Sequence, residues 1–157
     1  MIEFAYNDGG RGAAGFKGDT GDCATRAIAI VTGIPYIEVY NMVNEYSKSE
    51  RTGKRKRGIS NARTGVYKNT VHKIMTSFGW KWTPTMLIGQ GCKVHLKAEE
   101  LPKGKILCVV SKHYTAVIDG VVNDTHNPAR EIPETGYKNG EFFSRIIERC
   151  VYGYYSL

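Results

Sequence analysis

The chain has no hydrophobic run long enough to cross a bilayer. Its first eight residues also lack the basic-then-apolar pattern of a signal peptide. These two absences predict a protein of the cytoplasm with no membrane partner. With 157 residues, 41% of them hydrophobic, the chain is long enough for one domain with a real core over residues 1–157.

Closely spaced cysteine pairs are missing as well. The four cysteines form no CxxC motif, which argues against a zinc ribbon and a thioredoxin-like redox site. In a reducing compartment we expect all four to be free thiols. They are Cys23, Cys92, Cys108 and Cys150.

The chain matches the sequence pattern of a dinucleotide-binding loop but lacks the helix that must follow it. The segment from Gly10 to Gly15 matches G-x-G-x-x-G, but the residues after it, Phe16-Lys17-Gly18-Asp19-Thr20-Gly21, would break the helix that such a site requires. We therefore predict no cofactor.

Acidic residues are scarce in one segment. Residues 48–73 hold nine Lys or Arg and a single acid, Glu50, although the whole chain carries a formal charge of +7. The segment predicts a basic loop at about 48–63, either solvated or binding a polyanion or an acidic partner. Its central cations are Lys54, Arg55, Lys56 and Arg57.

Hydrophobic periodicity divides the chain into a helical half and a β half. Apolar residues at helical spacing predict helices over 23–32, 37–46 and 66–78. Apolar or alternating runs predict strands over 105–111, 114–118, 121–125 and 149–155. The predicted class is α+β, with N-terminal helices packed on a C-terminal antiparallel sheet.

The first helix begins at a cysteine. Asp22 is a favourable N-cap and Gly33 a favourable C-terminal stop, so Cys23 falls in the first turn. A thiol there lies at the positive end of the helix dipole, which lowers its pKa and favours the nucleophilic thiolate.

Counting from the turn Asp119-Gly120 sets the register of the β-hairpin. Ile118 then faces Val121, and Asp124 shares a face with His113 while Asn123 points to the other face. Diagonal neighbours on one face are within side-chain reach. We therefore predict a catalytic trio with Cys23 as nucleophile, His113 as base and acid, and Asp124 as the residue orienting His113.

At these residues the chain resembles the papain-like cysteine peptidase superfamily. The residues that carry the likeness are Gly21-Asp22-Cys23 opening a helix and His113-Tyr114-Thr115-Ala116-Val117 leading through a hairpin to Asp124. The likeness is closest to small bacterial and phage branches, including bacteriocin-leader peptidases and NlpC/P60-type enzymes. It implies a single papain-like domain that cleaves a peptide, isopeptide or related amide bond through an acyl-enzyme. If a phage encodes the chain, the host cytoplasm is the implied location.

The chain departs from the superfamily at one position of the active site. The superfamily usually completes its oxyanion hole with a glutamine upstream of the nucleophile, and this chain has none there. Thr20 and Lys17 are the candidates for that role.

Three alternatives accompany this prediction. The same residues resemble transglutaminase-like proteins, in which an amine resolves the acyl-enzyme. A non-catalytic papain-like scaffold could instead bind a host partner or nucleic acid through residues 48–73. His113, Asp124 and His126 could form a metal cluster, but His126 is expected to be exposed in a loop, and we predict no metal.

Overall fold

The computed structural model describes residues 1–18, 20–54 and 58–157. It confirms the α+β class and has three α-helices, one short 3-10 helix (Ala98–Glu100) and eight strands over that part of the chain. The helices are α1 (Cys23–Thr32), α2 (Tyr36–Ser47) and α3 (Lys68–Ser77). The strands are β1 (Glu3–Tyr6), β2 (Lys81–Pro84), β3 (Lys105–Val110), β4 (His113–Ile118), β5 (Val121–Asp124), β6 (Glu131–Lys138), β7 (Glu141–Glu148) and β8 (Gly153–Ser156).

Helix α1 has the predicted bounds. It ends because Gly33 takes the left-handed conformation, with φ of 74°, and donates its N–H to the Ala29 carbonyl at 3.0 Å. The predicted apolar stripe of α1 is buried: Ala24, Ala27, Ile28 and Val31. Across the described ranges, no helix combines the length and apolar character that a membrane crossing needs.

The main sheet is mixed, which corrects the prediction of a purely antiparallel, C-terminal sheet. Its strand order is β1-β5-β4-β3-β8-β2, and β1 pairs with β5 in parallel. Both outer strands precede the predicted strands in the chain. They were missed because each has only four residues, with no buried residue to produce an alternating pattern.

The central strand β3 is buried on both faces of the sheet. Helices cover one face, where Leu107 and Val109 join their core. On the other face, Ile106, Cys108 and Val110 pack against Leu96 and Leu101 of an irregular segment. Burial on both sides explains why this strand reads as a continuous apolar run.

Strands β6 and β7 form a separate two-stranded ribbon that the sequence analysis missed. The ribbon turns at Asn139 and Gly140, which have φ of 52° and 78°. Asn-Gly is a strong hairpin signal, but the flanking strands lack a buried face. Tyr137 and Phe142 remain largely exposed near the turn.

The predicted basic loop is only partly described. Lys54 is exposed, and Arg55, Lys56 and Arg57 lie outside the described residues. The hypothesis of partner binding through this loop therefore stays a prediction.

The structure contradicts the expectation of four free thiols. Cys92 and Cys150 form a disulfide with their Cα atoms 5.9 Å apart, leaving Cys23 and Cys108 free. The two cysteines meet because the backbone around His95 pairs with that of Cys150. A sequence separation of 58 residues gives no sign of this pairing.

We predict that this disulfide stabilises the fold. Closing a loop of this size restricts the unfolded chain, so reduction should lower the free energy of unfolding by about 2–4 kcal/mol. Urea unfolding with and without dithiothreitol measures the difference. The double variant Cys92→Ser/Cys150→Ser is the control, since dithiothreitol should not change its stability. Equal stability of the oxidised and reduced wild type would contradict the prediction.

Candidate active site

Cys23 is the first residue of α1 and is half-buried. The backbone just before it, at Gly21, lies very close to the loop at 61–65. A Cβ atom at this position would be only 2.8 Å from the Thr64 carbonyl oxygen. Within α1, the Thr25 hydroxyl donates to the Ala62 carbonyl at 2.7 Å. These contacts fix the start of the helix beside the loop.

His113 is the first residue of β4 and follows a two-residue turn. In that turn Lys112 has φ of 56°, and Val110 and His113 face each other across β3 and β4. The imidazole is therefore carried by a hairpin whose strands lie inside the main sheet. This position is rigid, which suits a group that must stay aligned with a partner.

The predicted hairpin register is confirmed: Ile118 pairs with Val121 and Ala116 with Asn123. The register brings the Asp124 side chain to His113, whose Nε2 lies 2.7 Å from Asp124 Oδ2. The Thr115 hydroxyl donates to the same oxygen at 2.8 Å. Asn123 instead accepts a hydrogen bond from Asn7, at 3.2 Å.

The Cys23 thiol and the His113 imidazole line the same cavity and shift each other's pKa. Burial raises the pKa of Cys23, but the His113 hydrogen bond and charge, the Tyr114 backbone N–H and Arg26 outweigh it, and the net pKa falls below its usual 9.0. Burial likewise opposes protonation of His113, yet its bonds to Asp124 and Cys23 raise its pKa to about 9. Because His113 Nε2 is bonded to Asp124, Nδ1 is the nitrogen left for the thiol.

Asp124 stays ionised despite its burial. Burial alone would raise the pKa of this carboxyl, but His113, Thr115 and the Thr125 N–H together lower it to about 2. The carboxylate therefore supports an imidazolium at neutral pH.

A buried ionic network continues behind the trio. Arg26, only 4% exposed, donates to Asp124 Oδ1 at 3.2 Å and also to Asp22. Asp22 accepts further bonds from Arg11 at 3.2 Å and from the Tyr36 hydroxyl at 2.7 Å. The Asp22 side chain makes no capping bond to α1, which corrects the expected capping role: its oxygens are already occupied by these partners.

Two neighbouring cavities open beside the thiol. One, of about 370 Å³, is lined by Cys23 and His113, by the loop at 64–68 and by the end of β3. The second, of about 290 Å³, shares Lys68, Val109 and Tyr114 with the first. Its remaining lining residues, mostly aromatic, are Asn69, His72, Trp82, Tyr152 and Tyr155.

The two candidates for the oxyanion hole do not line the cavity beside Cys23. Lys17 is exposed, and its backbone carbonyl accepts a bond from Arg63 at 2.7 Å. The Thr20 hydroxyl is buried and has no hydrogen-bond partner within the described residues. Neither side chain thus shares the cavity of the Cys23 thiol.

The alternative of a metal cluster finds no support. The His126 ring lies near the His113 ring, with the centroids 5.0 Å apart and the ring planes tilted by 52°. Residues 1–18, 20–54 and 58–157 nevertheless contain no group of three His, Cys, Asp or Glu side chains that could hold a metal ion.

Sequence reasoning missed Arg26, Asp22 and Thr115 as partners of the site. Arg26 did carry a signal, since it is the single charged residue in the otherwise apolar α1 and lies one turn after Asp22. Thr115 was placed on the correct face by the register, but nothing in the sequence assigned it a bond to Asp124.

Comparison with known proteins adds no assignment: no family model, curated protein or solved structure matches the chain.

We predict that Asp124 controls the protonation of His113. In Asp124→Asn the pKa of His113 should fall from about 9 toward or below its ordinary 6.5, because burial then opposes the charge with less compensation. The measurement is a pH titration of the imidazole signals by NMR. Asn123→Ala is the matched control, and it should leave the His113 pKa near 9 because Asn123 contacts Asn7 rather than His113. Equal pKa values in the wild type and Asp124→Asn would refute this role of Asp124.

Proposed function

We propose that the protein is a papain-like thiol hydrolase that cleaves a peptide, isopeptide or related amide bond. The observation that carries the proposal is the arrangement of His113, which is bonded through Nε2 to Asp124, lines the same cavity as the Cys23 thiol and lowers the pKa of that thiol. The opposed pKa changes of Cys23 and His113 favour a thiolate–imidazolium pair near neutral pH.

In the first step the Cys23 thiolate attacks the carbonyl carbon of the amide, and a sulfur–carbon bond forms. The carbonyl oxygen becomes an oxyanion. His113 then gives its proton to the amide nitrogen, the carbon–nitrogen bond breaks, and the amine leaves. The product is a thioester on Cys23.

In the second step the neutral His113 takes a proton from water, which attacks the thioester carbon. The carbon–sulfur bond breaks, the acid product leaves, and the thiolate is again paired with the imidazolium. Asp124 holds the imidazole in one orientation through both steps.

The start of α1 supports charge stabilisation of the oxyanion. Because the Asp22 side chain bonds to Arg11, Arg26 and Tyr36, it does not cap the first N–H groups of the helix. The Cys23 N–H is therefore a suitable donor toward an oxyanion formed at its own sulfur.

The aromatic-lined cavity supports a substrate with a large apolar group. Trp82 and Tyr155 lie with ring centroids 4.8 Å apart, and Tyr114 borders both this cavity and the thiol cavity. Flat aromatic walls favour an apolar side chain next to the scissile amide.

We expect Cys23 to be the reactive thiol. At pH 7 iodoacetamide should alkylate Cys23 at least tenfold faster than Cys108, because Cys108 is fully buried and burial raises its pKa, whereas the pKa of Cys23 is lowered. Mass spectrometry of tryptic peptides follows both rates.

His113→Ala should slow the alkylation of Cys23 and move its pH dependence to higher pH, since the thiolate then lacks its cationic partner. The control is His126→Ala, which removes an exposed neighbouring imidazole. The activated-thiol proposal fails if His113→Ala and His126→Ala react alike.

Catalysis is tested with a peptide library analysed by mass spectrometry. We expect the wild type to cleave a subset of peptides, Cys23→Ala to cleave none, and unfolding measurements to give both proteins similar stability. Adding a primary amine separates hydrolysis from acyl transfer, because a transferase would yield amine-linked products. Cleavage that persists in Cys23→Ala would rule out the mechanism.

A further inference from the structure

A third cavity adjoins the imidazole and shares no lining residue with the aromatic-lined cavity. It has a volume of about 400 Å³ and is contributed by the β3–β4 turn, the segment after β5 and the residue before Cys150. Its lining residues are Ser111, Lys112, His113, His126, Arg130 and Arg149. It shares Lys112 and His113 with the cavity that contains Cys23.

The charge in this cavity has one sign. No Asp or Glu lines it. Among residues 1–18, 20–54 and 58–157, no salt bridge is formed by Lys112, Arg130 or Arg149. Arg149 donates instead to the carbonyls of Pro128 and Ser111, which hold its guanidinium in place.

The cations in this cavity also act on one another. Burial lowers the pKa of Arg149, and the neighbouring charge of Arg130 lowers it further. Arg130 and Lys112 are both exposed at the surface of the cavity. Like charges held together without a carboxylate attract an anion, which would relieve their repulsion.

We propose that this cationic cavity, defined by Lys112, Arg130, Arg149 and His126, is a subsite for a carboxylate of the substrate. The proposal rests on the proposed function, because the cavity meets the thiol cavity at His113. It makes the substrate an acidic peptide, with its carboxylate on one side of the scissile bond and its apolar group on the other, in the aromatic-lined cavity.

The test compares two alkylating agents of the same size that differ in charge. Iodoacetate carries a carboxylate and iodoacetamide is its neutral counterpart, so the ratio of their rates at Cys23 reports attraction of an anion. Arg130→Glu should lower that ratio about fivefold at low ionic strength, and salt near 1 M should reduce the effect.

Lys103→Glu is the matched control because it makes the same change in net charge. Lys103 is exposed and lies just before β3, whereas the cationic cavity lies beyond the other end of that strand. The ratio should stay near its wild-type value in this variant. An equal fall in Arg130→Glu and Lys103→Glu would show only the general field of a basic protein and would overturn the subsite.

Binding can be measured separately from thiol reactivity. The probes are the N-acetyl, N-methylamide derivatives of glutamate and glutamine, titrated while NMR follows the His126 imidazole. We expect saturable shifts with the glutamate probe only, and their loss in Arg130→Glu and in Lys112→Asn, since Asn tolerates the positive φ of that position. Equal shifts with both probes, or shifts with inorganic phosphate but none with the glutamate probe, would overturn the proposal.

The two measurements can refute the proposed function and the subsite independently. If iodoacetamide does not react preferentially with Cys23, the proposed function fails, while the NMR titration still decides whether the cavity binds a carboxylate. If Cys23 is reactive but neither the rate ratio nor the titration depends on Arg130, the thiol site stands and the subsite falls.

Discussion

The site depends on one buried side chain, the guanidinium of Arg26. Through it, Asp22 at the start of α1 and Asp124 at the end of β5 are linked across the interface between helix and sheet. Cys23 follows Asp22 directly, and His113 is bonded to Asp124. The same cation therefore sets the helix that carries the thiol relative to the strand that holds the base. Removing one member of a buried ionic network costs about 3–5 kcal/mol, so neither element can shift freely without leaving an unpaired charge.

A buried ionic network of this kind adds little to the free energy of unfolding. Burying ions costs free energy that mutual attraction only partly returns, and the Nε of Arg26 has no hydrogen-bond partner within the described residues. What the arrangement does provide is a fixed carboxylate orientation. Asp124 uses Oδ1 for Arg26 and the Thr125 N–H and Oδ2 for His113 and Thr115, so it cannot rotate without losing several bonds. With a pKa of about 2 it remains charged at neutral pH.

The parts of the molecule that could be predicted are those set by local chemistry. The Asp119-Gly120 turn determined the hairpin register, and the register selected Asp124 over Asn123 as the partner of His113. Hydrophobic periodicity and the stop at Gly33 likewise predicted α1 with its observed bounds. The parts that could not be predicted join distant segments. Arg26 meets Asp124 across 98 residues, the disulfide joins cysteines 58 residues apart, and β1 is recognisable only from the strand it pairs with. Periodicity in a single segment contains no information about such pairings.

The disulfide and the linings of the cavities join residues that are far apart in the sequence. The expectation of four free thiols assumed a reducing compartment, where disulfides are uncommon. The bond between Cys92 and Cys150 contradicts that expectation. The basic residues that cluster in the sequence lie in 48–73. Lys112, Arg130 and Arg149 come from separate segments and form a cluster only in the folded chain. The fold gathers them next to His113, whereas the aromatic side chains line a separate cavity together with Tyr114. Under the proposed function, a peptide that reaches from the aromatic-lined cavity to the cationic cavity binds in one orientation, because reversing it would bury a carboxylate among aromatic rings and leave the cations unpaired.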